Sequence, residues 1–188
     1  KGISMKIYCT RSELNRAINN VSHSIPTRTP SPILEGILIE TKDDRMYLTA
    51  TDTNMTIESN IPVDSEGDVS FVIEEKNFAN IVSKLPEEEI LMDYNHEKNQ
   101  IKINSGKSSS TFNCFSADEF PRFNIGEGKK LILSKRDIKN LIRKTSFSAS
   151  ADELNGVLTG ILIELGDGNL RMVAVDTFRM AIYNAKVD

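Results

Sequence analysis

The sequence contains few of the residues from which metal centres and disulfide scaffolds are built. Only two cysteines and two histidines occur among its 188 residues. His23 and His96 have no cysteine or second histidine at a ligand spacing, so neither indicates a metal site. A disulfide scaffold needs more cysteines than Cys9 and Cys114, which both lie in apolar, strand-like runs. We expect them to be reduced core residues, and we expect no metal or other cofactor.

Long apolar runs are missing as well, and no stretch approaches the roughly 18 residues that a membrane helix requires. Residues 1–6 contain two lysines and no long apolar stretch, so a secretory signal is not expected. With 23 basic and 27 acidic residues the formal charge is −4, which excludes a protein that coats nucleic acid by bulk positive charge. The composition therefore predicts a cytoplasmic protein that does not contact membranes.

Catalytic motifs are equally scarce. The sequence has no phosphate-binding G-x-x-x-x-G-K-[ST] loop and no G-x-G-x-x-G motif. Asp52 and Asp176 recur at equivalent positions, each before a threonine and after a strand-like run. They could form a carboxylate pair for acid–base catalysis, but an Asp-Thr pair in this position more often caps its own turn. We therefore expect no enzymatic activity from the chain itself.

What the sequence does contain is an internal repeat. Shifting it by 124 residues aligns residues 10–57 with 134–181 without a gap. Within residues 33–57, ten of the 25 positions are identical, including the run Gly-Ile-Leu-Ile-Glu at 36–40 and 160–164. So many identities at one fixed offset indicate a duplicated structural unit.

A smaller unit recurs three times. Apolar residues at helical spacing predict amphipathic helices over residues 10–22, 74–85 and 134–145. Capping-box spacing opens the first helix at Thr10-x-x-Glu13 and the third at Ser134-x-x-Asp137. One strand-like run precedes each helix, at 5–9, 69–73 and 130–133. Three more follow each helix. They lie at 33–40, 46–51 and 54–61 after the first helix, at 90–94, 100–104 and 109–115 after the second, and at 158–164, 170–175 and 180–185 after the third. The unit is therefore β-α-β-β-β.

One such unit has a sheet with a helix over part of one face, and it cannot bury both sides of itself. We therefore expect an α+β fold in which two units pair, with helices side by side on the inner face and sheets outside. Residues 5–125 supply one complete pair, residues 126–128 a linker, and residues 129–188 only the first half of a second pair. Because an unpaired half leaves a strand edge and apolar helix surface open, we expect a fragment, or a second chain that supplies the missing half.

Positive charge is concentrated on the third predicted helix, which carries five Lys or Arg against one Asp. A basic helical face beside an acidic remainder suits loose contact with phosphates, without base reading, although exposed helices also carry such residues for solubility alone. No aromatic residues are interleaved with the basic ones, which argues against a stacking platform for single strands. Helical periodicity selects Lys135, Lys139 and Arg143 as the candidates for DNA contact.

Four motifs carry a resemblance to a known family. They are Pro-Ile-Leu-Glu-Gly-Ile-Leu-Ile at 32–39, Leu-Thr-Ala-Thr-Asp at 48–52, Ala-Asp-Glu-Phe-Pro at 117–121 and Val-Ala-Val-Asp-Thr-Phe-Arg-Met-Ala at 173–181. In this order they resemble the first domain, its closing signature and the second-domain hairpin of the bacterial sliding clamps, the β subunits of DNA polymerase III. The resemblance covers essentially the whole chain.

The resemblance implies the DNA-clamp fold, and a ring made by two three-domain subunits joined head to tail as a homodimer. Helices line the hole and sheets form the outer wall. Such a ring encircles duplex DNA without reading its sequence and tethers the replicative polymerase, so it is a nucleoid-associated processivity factor. It is a non-catalytic subunit of a nucleotidyltransferase holoenzyme. The alternative is a free-standing protein-docking module, built from clamp domains, that does not encircle DNA.

The resemblance also assigns individual residues. Arg28, in the loop after the first helix, matches a family arginine that touches DNA, and Lys76 lies near another basic position of the family. The family binds short linear peptides of polymerases and the clamp loader in an apolar pocket between its second and third domains. The second-domain side of that pocket is matched by Leu158, Val175, Thr177, Phe178, Arg179 and Met180. The other side belongs to a third domain, so we expect this chain alone to bind such peptides weakly or not at all.

Overall fold

The computed structural model describes residues 4–123, 126 and 130–186. These residues form two compact units, Lys1–Asn124 and Ile125–Asp188. Most of the linker predicted over residues 126–128 lies outside the described residues, and the predicted domain limits stay predictions. None of the helices in the described part of the chain is long and apolar enough to cross a membrane.

The first unit contains two successive β-α-β-β-β repeats. The first repeat comprises β1 (Ser4–Thr10), α1 (Arg11–Val21), β2 (Gly36–Lys42), β3 (Arg45–Thr51), β4 (Thr56–Pro62) and the two-residue strand β5 (Asp64–Ser65). The second comprises β6 (Ser70–Glu74), α2 (Glu75–Val82), β7 (Glu89–Asn95), β8 (Gln100–Ser105) and β9 (Ser108–Ser116). Short 3₁₀ helices span Ser22–Ser24, Pro32–Glu35 and Ala117–Glu119. The two predicted units are confirmed in type and order.

The two repeats exchange their first strands. The strands form one sheet in the order β4-β3-β2-β6-β9-β8-β7-β1-β5. Strand β1 pairs antiparallel with β7 of the second repeat, and β6 pairs antiparallel with β2 of the first. Each repeat therefore completes the other's sheet, which is why one repeat alone is incomplete.

Helices α1 and α2 pack against each other and contribute to the same apolar core as the strands. The predicted stripe of α1 is buried, and its members are Leu14, Ala17, Ile18 and Val21. Helix α2 buries Phe78, whose ring meets Phe112 edge to face with 6.1 Å between centroids. The predicted arrangement, with helices on one side of the sheet, is confirmed for this unit.

The second unit contains one helix and three strands. It comprises α3 (Lys135–Thr145), β10 (Leu162–Gly166), β11 (Asn169–Val175) and β12 (Met180–Lys186), with 3₁₀ helices at Ser146–Ser148 and Glu153–Thr159. The strands form an antiparallel sheet in the order β10-β11-β12. Helix α3 covers β11 and β12, and the buried residues of this small core are Leu141, Leu170 and Met172.

The strand predicted over residues 130–133 is wrong, because residues 130–134 have no regular secondary structure. The equivalent strand of the first unit, β1, finds its partner β7 in the following repeat. Among the described residues of the second unit, the only strands are β10, β11 and β12, and none of them pairs with this segment. Residues 33–35 and 158–159, predicted as strand, are 3₁₀ helical instead.

The equivalent strands β2 and β10 differ in how far the described residues cover them. Strand β2 lies between β3 and β6, and Ile39 is fully buried. Strand β10 forms an edge, and Ile163, the equivalent of Ile39, is 58% exposed. The helices differ in the same way, since Ile18 is buried whereas its equivalent Ile142 is 47% exposed. The predicted open edge and exposed apolar helix surface are confirmed for the described residues.

Candidate nucleic-acid interface

Helix α3 is formed by local signals. The Ser134 hydroxyl accepts a hydrogen bond from the Asp137 amide at 3.0 Å and donates one to its carboxylate at 2.6 Å. Arg143 and Lys144 lie in the last turn, where positive charge stabilises a helix through its dipole. The cap predicted for α3 is therefore confirmed. At the first helix, Thr10 instead donates to the Glu13 carboxylate at 3.1 Å and caps no backbone amide.

The three predicted DNA-contacting residues of α3 are exposed and lie on one side of the helix. Lys135, Lys139 and Arg143 follow one another at intervals of four residues, which places them along one face. None of them forms an ion pair with any of the residues that the structure describes. Their charges are therefore available to an external anion.

Two further polar side chains belong to this face and were not selected from the sequence. Arg136 and Asn140 line the same shallow depression of about 770 Å³ as the three basic residues, around the exposed Ile142. Their own spacing of four residues was the signal that could have selected them. Lys144 is different, because its ammonium lies 4.3 Å from the centre of the Tyr183 ring. That cation–π contact holds Lys144 against the sheet.

The basic candidates of the first unit are exposed but lie on separate elements. Arg28 is in the loop between two 3₁₀ helices, Ser22–Ser24 and Pro32–Glu35, and Lys76 is in the first turn of α2. Neither forms an ion pair within the described part of the chain. Their assignment to DNA contact stays a prediction.

The predicted peptide-binding residues gather at the end of the β11–β12 hairpin. Val175 and Met180 lie opposite each other in the ladder, and Thr177, Phe178 and Arg179 form the turn between them. Phe178 is 95% exposed and Met180 is 61% exposed. Leu158 is half-buried in the 3₁₀ segment Glu153–Thr159, where its carbonyl accepts a hydrogen bond from the Ser150 amide at 2.9 Å. Their peptide-binding role stays a prediction.

Asp176 shapes this turn, and Asp52 shapes its counterpart in the first unit. The Asp176 carboxylate accepts hydrogen bonds from the amides of Phe178 and Arg179, both at 2.8 Å. The Asp52 carboxylate accepts bonds from Met55 at 2.7 Å and from Asn54 at 2.8 Å. These hydrogen bonds hold the pKa of each carboxyl below its usual value. The Met55 amide contributes most at Asp52, and the Phe178 amide contributes most at Asp176. The capping interpretation of both aspartates is therefore confirmed.

Arg179 is held by two contacts within its own unit. Its Nε lies 3.0 Å from the Asp176 carboxylate, and its guanidinium lies 6.0 Å from the centre of the Phe147 ring. The turn therefore presents Phe178 outward while Arg179 is fixed beside it.

Both cysteines are free and half-buried. Burial raises the pKa of each thiol to about 12, and the negative charge of Glu13 contributes to the raised pKa of Cys9. At about pH 8 only roughly one thiol in ten thousand is then ionised. We expect iodoacetamide to alkylate the folded chain at least about a hundredfold more slowly than the urea-unfolded chain, because the thiolate is the nucleophile. Mass spectrometry of timed samples measures both rates, and equal rates would show that the thiols are not buried.

Comparisons with known proteins agree on one family. The models of the N-terminal domain and the central domain of the DNA polymerase III beta subunit match residues 5–124 and 132–188. A beta sliding clamp of Halalkalibacterium halodurans is 36% identical over 181 residues, which are 91% of this chain and 47% of that protein. The chain spans about half the length of the curated relatives it matches.

Solved structures show the same similarity. The DNA polymerase sliding clamp of Bacillus subtilis has a TM-score of 0.92 and 32% identity, covering 99% of this chain and 51% of that one. A DnaN sliding clamp of Bartonella birtlesii bound to griselimycin has a TM-score of 0.89 and 26% identity, covering 98% of this chain and 50% of that one.

Proposed function

Because the chain belongs to the DNA polymerase III beta subunit family, we propose that it acts as the first domain and the first half of the second domain of a sliding clamp. In that role it encircles duplex DNA as part of a head-to-tail homodimeric ring and increases polymerase processivity. It works on DNA at the nucleoid in the cytoplasm. Nucleotidyl transfer belongs to the polymerase that the ring holds, and the clamp part is non-catalytic.

The basic face of α3 carries this proposal. Lys135, Lys139 and Arg143 are exposed, evenly spaced and without ion-pair partners among the described residues. Long cationic side chains on one helix face attract phosphates at any position along a duplex, because backbone charge does not depend on sequence. Contacts of this kind are individually weak in salt, so a ring held by its topology can move along the DNA.

The remainder of the chain has the opposite charge. The formal charge of the whole chain is −4 although α3 is strongly basic. Negative charge elsewhere repels phosphates, which favours DNA at α3 over DNA at the rest of the chain.

Peptide binding to the polymerase and the clamp loader is the second part of the proposal. The side chains of Phe178 and Met180 are largely exposed, and Val175 lies beside Met180 in the ladder. Exposed apolar residues grouped in this way mark surfaces for partner binding. Short linear peptides of these partners provide the apolar side chains that such a surface takes.

The DNA part of the proposal is tested by charge reversal on α3. We expect the triple variant Lys135→Glu, Lys139→Glu, Arg143→Glu to bind a labelled duplex of about 30 base pairs at least roughly tenfold more weakly at low salt. The slope of log affinity against log salt concentration should also fall by about 3, one for each lost phosphate contact. Fluorescence anisotropy over a salt series measures both quantities.

The matched control reverses three exposed lysines in the β7–β9 region of the first unit, Lys98, Lys102 and Lys107. It changes the net charge by the same amount, so it separates a local effect from bulk charge. Equal losses in the two variants would contradict the assignment of α3. No measurable DNA binding by the unaltered chain, even at low salt, would favour the docking module that does not encircle DNA.

A further inference from the structure

The sheet of the first unit contains the same strand junction twice. At each junction, the strand that leads into a helix pairs with the first of the three strands that follow the other repeat's helix. Val72 of β6 and Tyr8 of β1 each lie three residues before their helix begins. They pair with Leu38 and Leu91, the third residues of β2 and β7. The two pairs therefore occupy equivalent positions.

The chain covers the first of these junctions with its own residues. Leu38 and Val72 form a cluster, separate from the main core, with Ala117 and Phe120 from the segment after β9. The residues on either side of Leu38 and Val72 in their strands belong to the main core. Because side chains alternate along a strand, this cluster lies on the opposite face of the sheet. Phe120 is 3% exposed there. The junction thus accepts an aromatic ring carried on a short helical turn.

The described residues leave the second junction uncovered. Tyr8 is 44% exposed and Leu91 is half-buried, and both line a groove of about 770 Å³, here called the Tyr8–Leu91 groove. Four of the residues that line the groove are acidic, and no described lining residue is Lys or Arg. The acidic ones are Glu13, Asp64, Glu87 and Glu89. None of these four forms an ion pair with a described residue.

We propose that the Tyr8–Leu91 groove binds a short basic peptide segment of a partner protein. One aromatic or large aliphatic side chain of the peptide packs on Tyr8 and Leu91, as Phe120 packs on Val72 and Leu38. Lysine or arginine beside it meets the carboxylates around the groove. The apolar contact provides the anchor, and the complementary charge selects basic over acidic segments. The proposal does not depend on ring formation or on DNA binding.

The chain's own covering segment supplies the probe. Residues 116–121 read Ser-Ala-Asp-Glu-Phe-Pro, and the probe is the capped hexapeptide Ser-Ala-Lys-Lys-Phe-Pro. We expect it to shift the backbone NMR signals of Tyr8 and Leu91 saturably, with a dissociation constant of about 1 mM or lower. The unchanged acidic hexapeptide and the hexapeptide Ser-Ala-Lys-Lys-Ala-Pro should each bind at least about fivefold more weakly, because each lacks one of the two interactions.

A matched pair of charge reversals locates the binding. Glu89→Lys, at the groove, should weaken binding of the basic probe by about tenfold or more, since it places like charges together. Glu97→Lys makes the same charge change at an exposed position in the turn after β7 and should weaken it by less than about twofold. Equal effects of the two variants, equal binding of the acidic peptide, or no saturable shift at Tyr8 and Leu91 would each overturn the proposal.

Discussion

Replacing Ile39 by alanine lowers the free energy of unfolding of the first unit by about 3 kcal/mol, whereas Ile163→Ala changes that of the second unit by less than about 1 kcal/mol. The two isoleucines occupy the same place in the repeated Gly-Ile-Leu-Ile-Glu run. Ile39 is fully buried between β3 and β6, so truncation leaves a cavity in a closed core. Ile163 is 58% exposed on an edge strand, so little packing is lost.

Native-state hydrogen exchange on each variant measures the two effects separately, because the amides of β2 and β10 report on different units. Each isoleucine is the control for the other, since the substitution and the local sequence are the same. Similar losses at both positions would mean that β10 is covered as completely as β2.

Gly36→Ala destabilises the first unit by about 2 kcal/mol through overpacking. A Cβ at Gly36 would overlap Cγ1 of Val72 and lie 3.1 Å from the carbonyl oxygen of Ile73, both in the neighbouring strand β6. The backbone of Gly36 has φ −104° and ψ 163°, which any residue adopts. The cost therefore comes from steric contact, mainly with β6 and also with the Ile33 carbonyl oxygen at 3.3 Å.

The matched control is Gly160→Ala, at the equivalent position of the second unit. Among the described residues, a Cβ there meets only the carbonyl oxygen of Val157, at 3.5 Å, an ordinary contact. We expect Gly160→Ala to cause no loss of stability. It should raise the free energy of unfolding by up to about 0.5 kcal/mol, because alanine allows the unfolded chain fewer conformations than glycine does. Urea unfolding followed by circular dichroism measures both changes, and a neutral Gly36→Ala would contradict the close pairing of β2 and β6.

The helices and most strands could be predicted because their signals are local. The stripe of α1, the Ser134 cap and the alternation within the strands are all visible in short windows of sequence. The repeat at 124 residues then indicated that units must pair. The prediction of a strand at 130–133 was wrong because the equivalent strand of the first unit, β1, pairs with a strand of another repeat. A short window of sequence does not show such a distant partner.

The exchange of first strands between repeats was not predictable from residue patterns. Each repeat reads as a complete β-α-β-β-β unit, yet β1 and β6 each complete the sheet of the other repeat. The uncovered junction at Tyr8 and Leu91 follows from this exchange. It could be recognised only once the register of both strand pairs was known.

The candidate sites were predictable to different degrees. Helical spacing alone selected Lys135, Lys139 and Arg143, and it could equally have selected Arg136 and Asn140, which line the same depression. Lys144 has the same charge, but its contact with the Tyr183 ring comes from tertiary structure that spacing does not encode.

An NMR titration of the isotope-labelled chain with a short duplex tests the central claim most directly. The account predicts that the largest shifts occur on α3, at Lys135, Lys139 and Arg143. Two duplexes of unrelated sequence should give the same pattern, and the shifts should fade as salt is added, because the contacts are with phosphates. Shifts concentrated on the strands of either unit, or a pattern that changes with the DNA sequence, would contradict the account.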